Sequence, residues 1–100
     1  MSQFQFVMRS GPTPGKVYAI DGTDLIIGRE SNCNVAINDA EISRKHAKME
    51  LRGNAYVIQD LGSTNGTFVN RRRVEKGAEV EFRDGDEVQF GLVRTVFRSS

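Results

Sequence analysis

Turn-forming clusters punctuate this chain about every ten residues, and that rhythm restricts its fold more than any other feature. They run from Gly11-Pro12-Thr13-Pro14-Gly15 through Asp21-Gly22, Ser31-Asn32, Asn38-Asp39, Gly53-Asn54, Asn65-Gly66 and Lys76-Gly77 to Asp84-Gly85-Asp86. The intervening segments, 4–9, 16–20, 25–27, 35–37, 47–52, 56–59, 68–69, 80–83, 88–90 and 92–98, are rich in β-branched and aromatic residues. They predict about ten or eleven short strands. Several alternate with period two: Ala47, Met49 and Leu51 oppose Lys48, Glu50 and Arg52, and Val80 and Phe82 oppose Glu79, Glu81 and Arg83. Such strands have one wet face and one dry face. No stretch carries apolar residues at i, i+3, i+4 and i+7 over two turns, so the crossover helices that parallel sheets require are missing. The expected fold is all-β, an antiparallel sandwich of about eleven short strands.

At 100 residues the chain has the size of one domain, 1–100, and can bury a core unaided. There are no repeats or low-complexity tracts. Ser99-Ser100 reads as the frayed edge of a domain, compatible with excision from a longer protein. A net charge of +1 gives no global field toward nucleic acid or an anionic membrane, so recognition of an anion must be local. Cys33 is the only cysteine and His46 the only histidine, which excludes an internal disulfide and leaves too few ligands for a Cys/His zinc site. No cofactor is implied, and a reducing, cytoplasmic setting is expected. The opening Gln3-Phe4-Gln5-Phe6 alternates instead of forming an apolar signal region, and no run reaches the roughly 20 apolar residues of a membrane span.

Three clusters carry the chemistry: Gly28-Arg29, Ser43-Arg44-Lys45-His46 and Ser63-Thr64-Asn65-Gly66. Brought together, they offer a dianion two guanidinium groups and several neutral donors. Each has an ordinary explanation when taken alone. Arg29 is then a solvated loop arginine, Ser43 a serine turn, Asn65-Gly66 a two-residue hairpin turn and Arg71-Arg72-Arg73 a solvated turn. Ser43, His46 and Asp60 invite comparison with a hydrolase triad, but no Gly-x-Ser-x-Gly elbow accompanies them, so no catalytic residue is assigned.

In their order and spacing, Gly28-Arg29, Ile42-Ser43-Arg44-Lys45-His46-Ala47 and Asp60-Leu61-Gly62-Ser63-Thr64-Asn65-Gly66-Thr67-Phe68-Val69-Asn70 resemble the motifs of the forkhead-associated (FHA) domain. That family is a β-sandwich whose loops at one end bind phosphothreonine peptides. The resemblance implies a non-enzymatic module that recognises a phosphothreonine-containing partner protein. It makes Arg29 the main phosphate ligand, Ser43 and Arg44 further phosphate contacts, Thr64 part of the threonine pocket and Asn65 a contact to the peptide main chain. His46, Gly28 and Gly66 become structural supports. Phosphothreonine carries about −1.5 to −2 charges, which two arginines would roughly neutralise. Segment 30–34 and the Ser63 loop would set preference around it.

The sequence departs from the family at two turns: Asn34 stands where Asp is common, and Arg71 where Gly is common. Two other functional classes remain open from the residues alone: a phosphate-independent interaction or oligomerisation module using a sheet face, and a nucleic-acid binder using Arg71 to Arg73. Near-neutral charge and the absence of an aromatic-basic strand motif weigh against the second. Oligomeric state is not legible.

Overall fold

Eleven strands and no helix make up residues 3–99, the part described by the computed structural model. In chain order they are β1 (Phe4–Ser10), β2 (Val17–Ile20), β3 (Asp24–Gly28), β4 (Val35–Ala36), β5 (Ala47–Arg52), β6 (Ala55–Asp60), β7 (Thr67–Val69), β8 (Arg72–Arg73), β9 (Val80–Phe82), β10 (Glu87–Phe90) and β11 (Val93–Ser99). One sheet has the order β2-β1-β11-β10-β7-β8, the other β4-β3-β5-β6-β9.

The sandwich departs from the antiparallel expectation at one place. β4 lies parallel to β3, with Ile27 opposite Val35. A two-residue strand reached through the loop after Arg29 has room to return in the same direction without a crossover helix.

Period-two alternation resolves into a shared core. Phe6 and Met8 of β1, Leu25 and Ile27 of β3, Ala47 and Met49 of β5, Tyr56 and Ile58 of β6, and Val93 and Phe97 of β11 are all buried. Aromatic edges and faces join the sheets. Phe82 and Phe97 meet edge-to-face at 4.8 Å, and Phe6 touches Phe82, Phe90 and Phe97. Edge-to-face pairs of this kind add about 0.5–1.5 kcal/mol beyond the area they bury.

Three local expectations need correction. Asn65-Gly66 does not close a hairpin: β6 pairs with β5 and β9, while β7 pairs with β10 and β8, so this segment crosses between sheets. Within Arg71-Arg72-Arg73, only Arg71 is a turn residue, because Arg72 and Arg73 form β8. Ser99 is no frayed end. It pairs with Phe4, and its N–H donates to Asp84 Oδ1 at 2.8 Å. Ser100 lies outside the described residues, as do Met1 and Ser2.

The departure at Asn34 is benign, since its Oδ1 accepts the Ile26 N–H at 2.8 Å, as a carboxylate would. The hairpin β10–β11 closes through Gly91-Leu92 with Phe90 opposite Val93. Gly91 has φ 60°, the left-handed value that a side chain resists. Thus the end of β3, the start of β5, the end of β6 and the β10–β11 turn all lie at one end of the sandwich.

Candidate functional site

Backbone hydrogen bonds join the end of β3 to the residues before β5. His46 N–H donates to Ile27 O at 2.8 Å, Arg29 N–H to Ser43 O at 3.1 Å, and Glu30 N–H to Arg44 O at 3.4 Å. This contact explains Gly28, though not as a turn residue: its φ lies outside the left-handed region. A Cβ at Gly28 would stand 2.1 Å from Arg44 O, so only glycine lets the two segments approach. Gly91 has a similar role on the other side, where a Cβ would come within 2.7 Å of Glu41 O.

His46 is fully buried and ties the loops together. Its Nδ1 accepts the Ser43 N–H at 3.1 Å, and its Nε2 donates to Gly66 O at 2.7 Å. Those partners require a neutral imidazole with its proton on Nε2. Burial accordingly pushes the His46 pKa down; the Gly66 hydrogen bond and the Asp60 charge oppose that shift without cancelling it. Gly66 O also receives the Gly91 N–H at 2.9 Å, which joins the β10–β11 turn to the same point.

Asp60, at the end of β6, organises the Ser63 loop. Its carboxylate accepts the Ser63 and Thr67 hydroxyls and the Gly62 and Ser63 N–H groups. Burial favours the neutral acid, yet these four donors outweigh it and hold the carboxyl below its ordinary value. Ser63 Oγ in turn accepts the Gly66 N–H at 3.0 Å. Ser43 Oγ accepts the Thr64 N–H at 3.1 Å, which closes the network between the loops.

The five predicted ligand residues come together. Arg29, Ser43, Arg44, Thr64 and Asn65 line one open cleft of about 530 Å³, joined by Ala40, Glu41 and Ile42. Among the described residues no carboxylate pairs with Arg29 or Arg44. The Arg29 guanidinium makes one long contact, Nη1 to Ala40 O at 3.5 Å. Two unneutralised guanidinium groups at one cleft suit a ligand with paired anionic oxygens.

The hydrogen bonds do not arrange Ser43, His46 and Asp60 as a triad. His46 faces the Ser43 backbone N–H instead of its hydroxyl, and the Asp60 carboxylate bonds Gly62, Ser63 and Thr67. Burial and the neighbouring Glu30 charge push the Cys33 thiol up. Its Sγ sits 3.4 Å from Arg44 O. Among the described residues no group of three or more His, Cys, Asp and Glu side chains is placed to hold a metal, and no helix is long and apolar enough to cross a membrane.

The sequence reading missed Glu41 and the loop-organising role of Asp60. Asp60 has a legible cue, an Asp followed by Gly62 and Ser63, whose N–H groups an Asx-type turn would capture. Glu41 has none. Asn65 Nδ2 donates to both Glu41 O and Glu41 Oε2, each at 2.9 Å. Both amide hydrogens are therefore engaged, which leaves the Asn65 Oδ1 as the atom able to accept a further bond.

Comparison with known proteins places this geometry. A family model described as the FHA domain matches residues 25–91. The chain is 36% identical over 91 residues to the glycogen accumulation regulator GarA of Mycolicibacterium smegmatis, an alignment covering 91% of this chain and 56% of that protein. The chain thus spans little more than half the length of that relative. A solved FHA domain described for phosphothreonine-dependent interactions is 29% identical, with a TM-score of 0.82 over 97% of this chain and 96% of that one. Mycobacterium tuberculosis EmbR, solved with a low-affinity phosphopeptide, is 27% identical with a TM-score of 0.85, covering 99% of this chain and 25% of that one.

Proposed function

The chain belongs to the FHA domain family, and we propose that it docks a phosphothreonine-bearing segment of a partner protein into the cleft formed by Arg29, Ser43, Arg44, Thr64 and Asn65. The observation that carries this function is the pair of arginines without acidic partners, lining the same cleft as Ser43 and Thr64. Arg29 grips phosphate oxygens through paired N–H donors, and Arg44 supplies the second positive charge. Ser43 Oγ already accepts from Thr64, so its own proton is free to donate to phosphate. Asn65 Oδ1 accepts a main-chain N–H of the bound segment, and Thr64 borders the threonine side chain.

The module is non-catalytic and turns a kinase's product into a binding event. Affinity lies on the order of micromolar, because a flexible segment loses conformational freedom when it docks. A cytoplasmic setting suits a chain with a single cysteine and a ligand made by kinases.

An oriented peptide array prepared in phosphothreonine, phosphoserine and unmodified forms tests the function. Binding confined to phosphorylated members, strongest for phosphothreonine, supports it; equal binding to unmodified members overturns it. Threonine preference requires its extra methyl to find an apolar contact, which contributes about 1–3 kcal/mol in such discriminations. Equal capture of the phosphoserine and phosphothreonine forms would remove that part alone.

A further inference from the structure

The cleft contains an anion as well as two cations. Glu41 lines it with Arg29 and Arg44, and these are the three charged side chains on its wall. We propose that Glu41 makes the site select phosphothreonine segments carrying a Lys or Arg beside the modified residue and disfavour those with acidic neighbours. This specificity rests on the phosphothreonine reading above.

Charge balance points in this direction. With Glu41 ionised, the three wall residues leave one net positive charge, too little for the roughly −1.5 to −2 of phosphothreonine. The bound complex therefore retains uncompensated negative charge unless the ligand brings a cation. The protein supplies no substitute: among the described residues no Lys, Arg or His pairs with Glu41, and its carboxylate accepts from the neutral Asn65 amide.

Glu41 is also held in position. Its N–H donates to Asp39 Oδ1 at 2.8 Å, and its carbonyl accepts from Asn65 Nδ2 at 2.9 Å. Gly91 abuts that carbonyl so closely that a Cβ there would clash. With the main chain fixed from both sides and the carboxylate tethered by Asn65, the charge remains at the cleft wall. Asp39, bonded behind it, adds a second negative charge. A carboxylate fixed in advance costs little ordering entropy when it pairs with a ligand cation.

The test uses three phosphothreonine peptides that differ only in carrying Lys, Gln or Glu around the modified residue, titrated against the wild type and Glu41→Gln. The variant keeps an oxygen acceptor for Asn65 and removes only the charge from an exposed side chain. The wild type should bind the Lys peptide about fivefold more tightly than the Glu peptide. In Glu41→Gln that ratio should fall toward one, and the Gln peptide should bind about twofold more tightly. The same ratio in both proteins would overturn the proposal for Glu41 while leaving phosphate-dependent docking intact. No binding of any phosphorylated peptide by the wild type would overturn both.

Discussion

His46 Nε2 lies 2.7 Å from the Gly66 carbonyl oxygen, a buried hydrogen bond across twenty residues of sequence that fixes the Asn65 loop to the Ser43 loop. Its Nδ1 accepts the Ser43 N–H, so a second proton on the ring would face that donor and break the clamp. The folded state therefore holds the His46 pKa below its ordinary value, chiefly through burial. In the unfolded chain His46 takes up its proton near pH 6.5, and in the native state only at lower pH. Stability from this group is full above about pH 6.5 and is lost as pH falls through the native pKa. Urea midpoints between pH 7.5 and 5.5 should decline in the wild type and change less in His46→Gln; a wild-type midpoint that rises on acidification would contradict the assignment.

Asp60 should show the same direction at lower pH. Its carboxyl is held below the ordinary value in the fold, so its contribution is present above the unfolded carboxylate pKa and disappears as pH drops through the native one. Asp60→Asn keeps the shape but weakens the bonds to Ser63 and Thr67. It should cost about 2 kcal/mol, since hydrogen bonds to a charged group are the stronger kind. Denaturant titration at pH 7 checks the value, and a neutral result would mean that the loop is held by other contacts.

Gly28→Ala tests the close approach of the Arg29 and Arg44 segments. A methyl group cannot occupy a point 2.1 Å from Arg44 O, so the backbone must separate there. The loss should be about 3 kcal/mol, at the upper end for overpacking. Because the displaced segments carry both arginines, ligand affinity should fall even in molecules that remain folded. Thermal melts together with peptide titration measure both effects.

The sequence disclosed the strand rhythm and the main cleft residues because both are local properties. Alternation reports which face of Ala47 to Arg52 is dry, and the three clusters lie at turns that strand patterning locates. Contacts between distant turns were not legible. The Gly91 turn supports Glu41 across fifty residues of sequence, and neither residue has a periodic pattern that identifies its partner. Asn65-Gly66 misled for a related reason. Tolerance of positive φ identifies a turn but not whether the flanking strands pair, and here only Gly66 has positive φ while β6 and β7 belong to different sheets.

Arg71 holds a strained backbone whose cost stability can measure. Asn70 and Arg71 have φ of 50° and 71°, which close a two-residue turn between Val69 and Arg72. Left-handed backbone costs a non-glycine residue roughly 1–2 kcal/mol. The exposed Arg71–Glu87 ion pair returns about 0.2–1 kcal/mol. Arg71→Gly should therefore raise stability slightly, by about 0.5 kcal/mol after the greater freedom of glycine in the unfolded chain is subtracted. A clear loss in chemical denaturation would show that the ion pair outweighs the strain.

The most direct measurement is calorimetric titration of one phosphothreonine peptide, and its unphosphorylated twin, into the wild type, Arg29→Ala and Arg44→Ala. Each arginine is exposed and lacks an ion-pair partner among the described residues, so neither substitution should disturb folding. If both guanidinium groups grip one phosphate, the wild type binds only the phosphorylated peptide and each variant loses at least about tenfold in affinity, as expected for charge-assisted hydrogen bonds. Unchanged affinity in Arg29→Ala, or equal binding of the two peptides by the wild type, would contradict it.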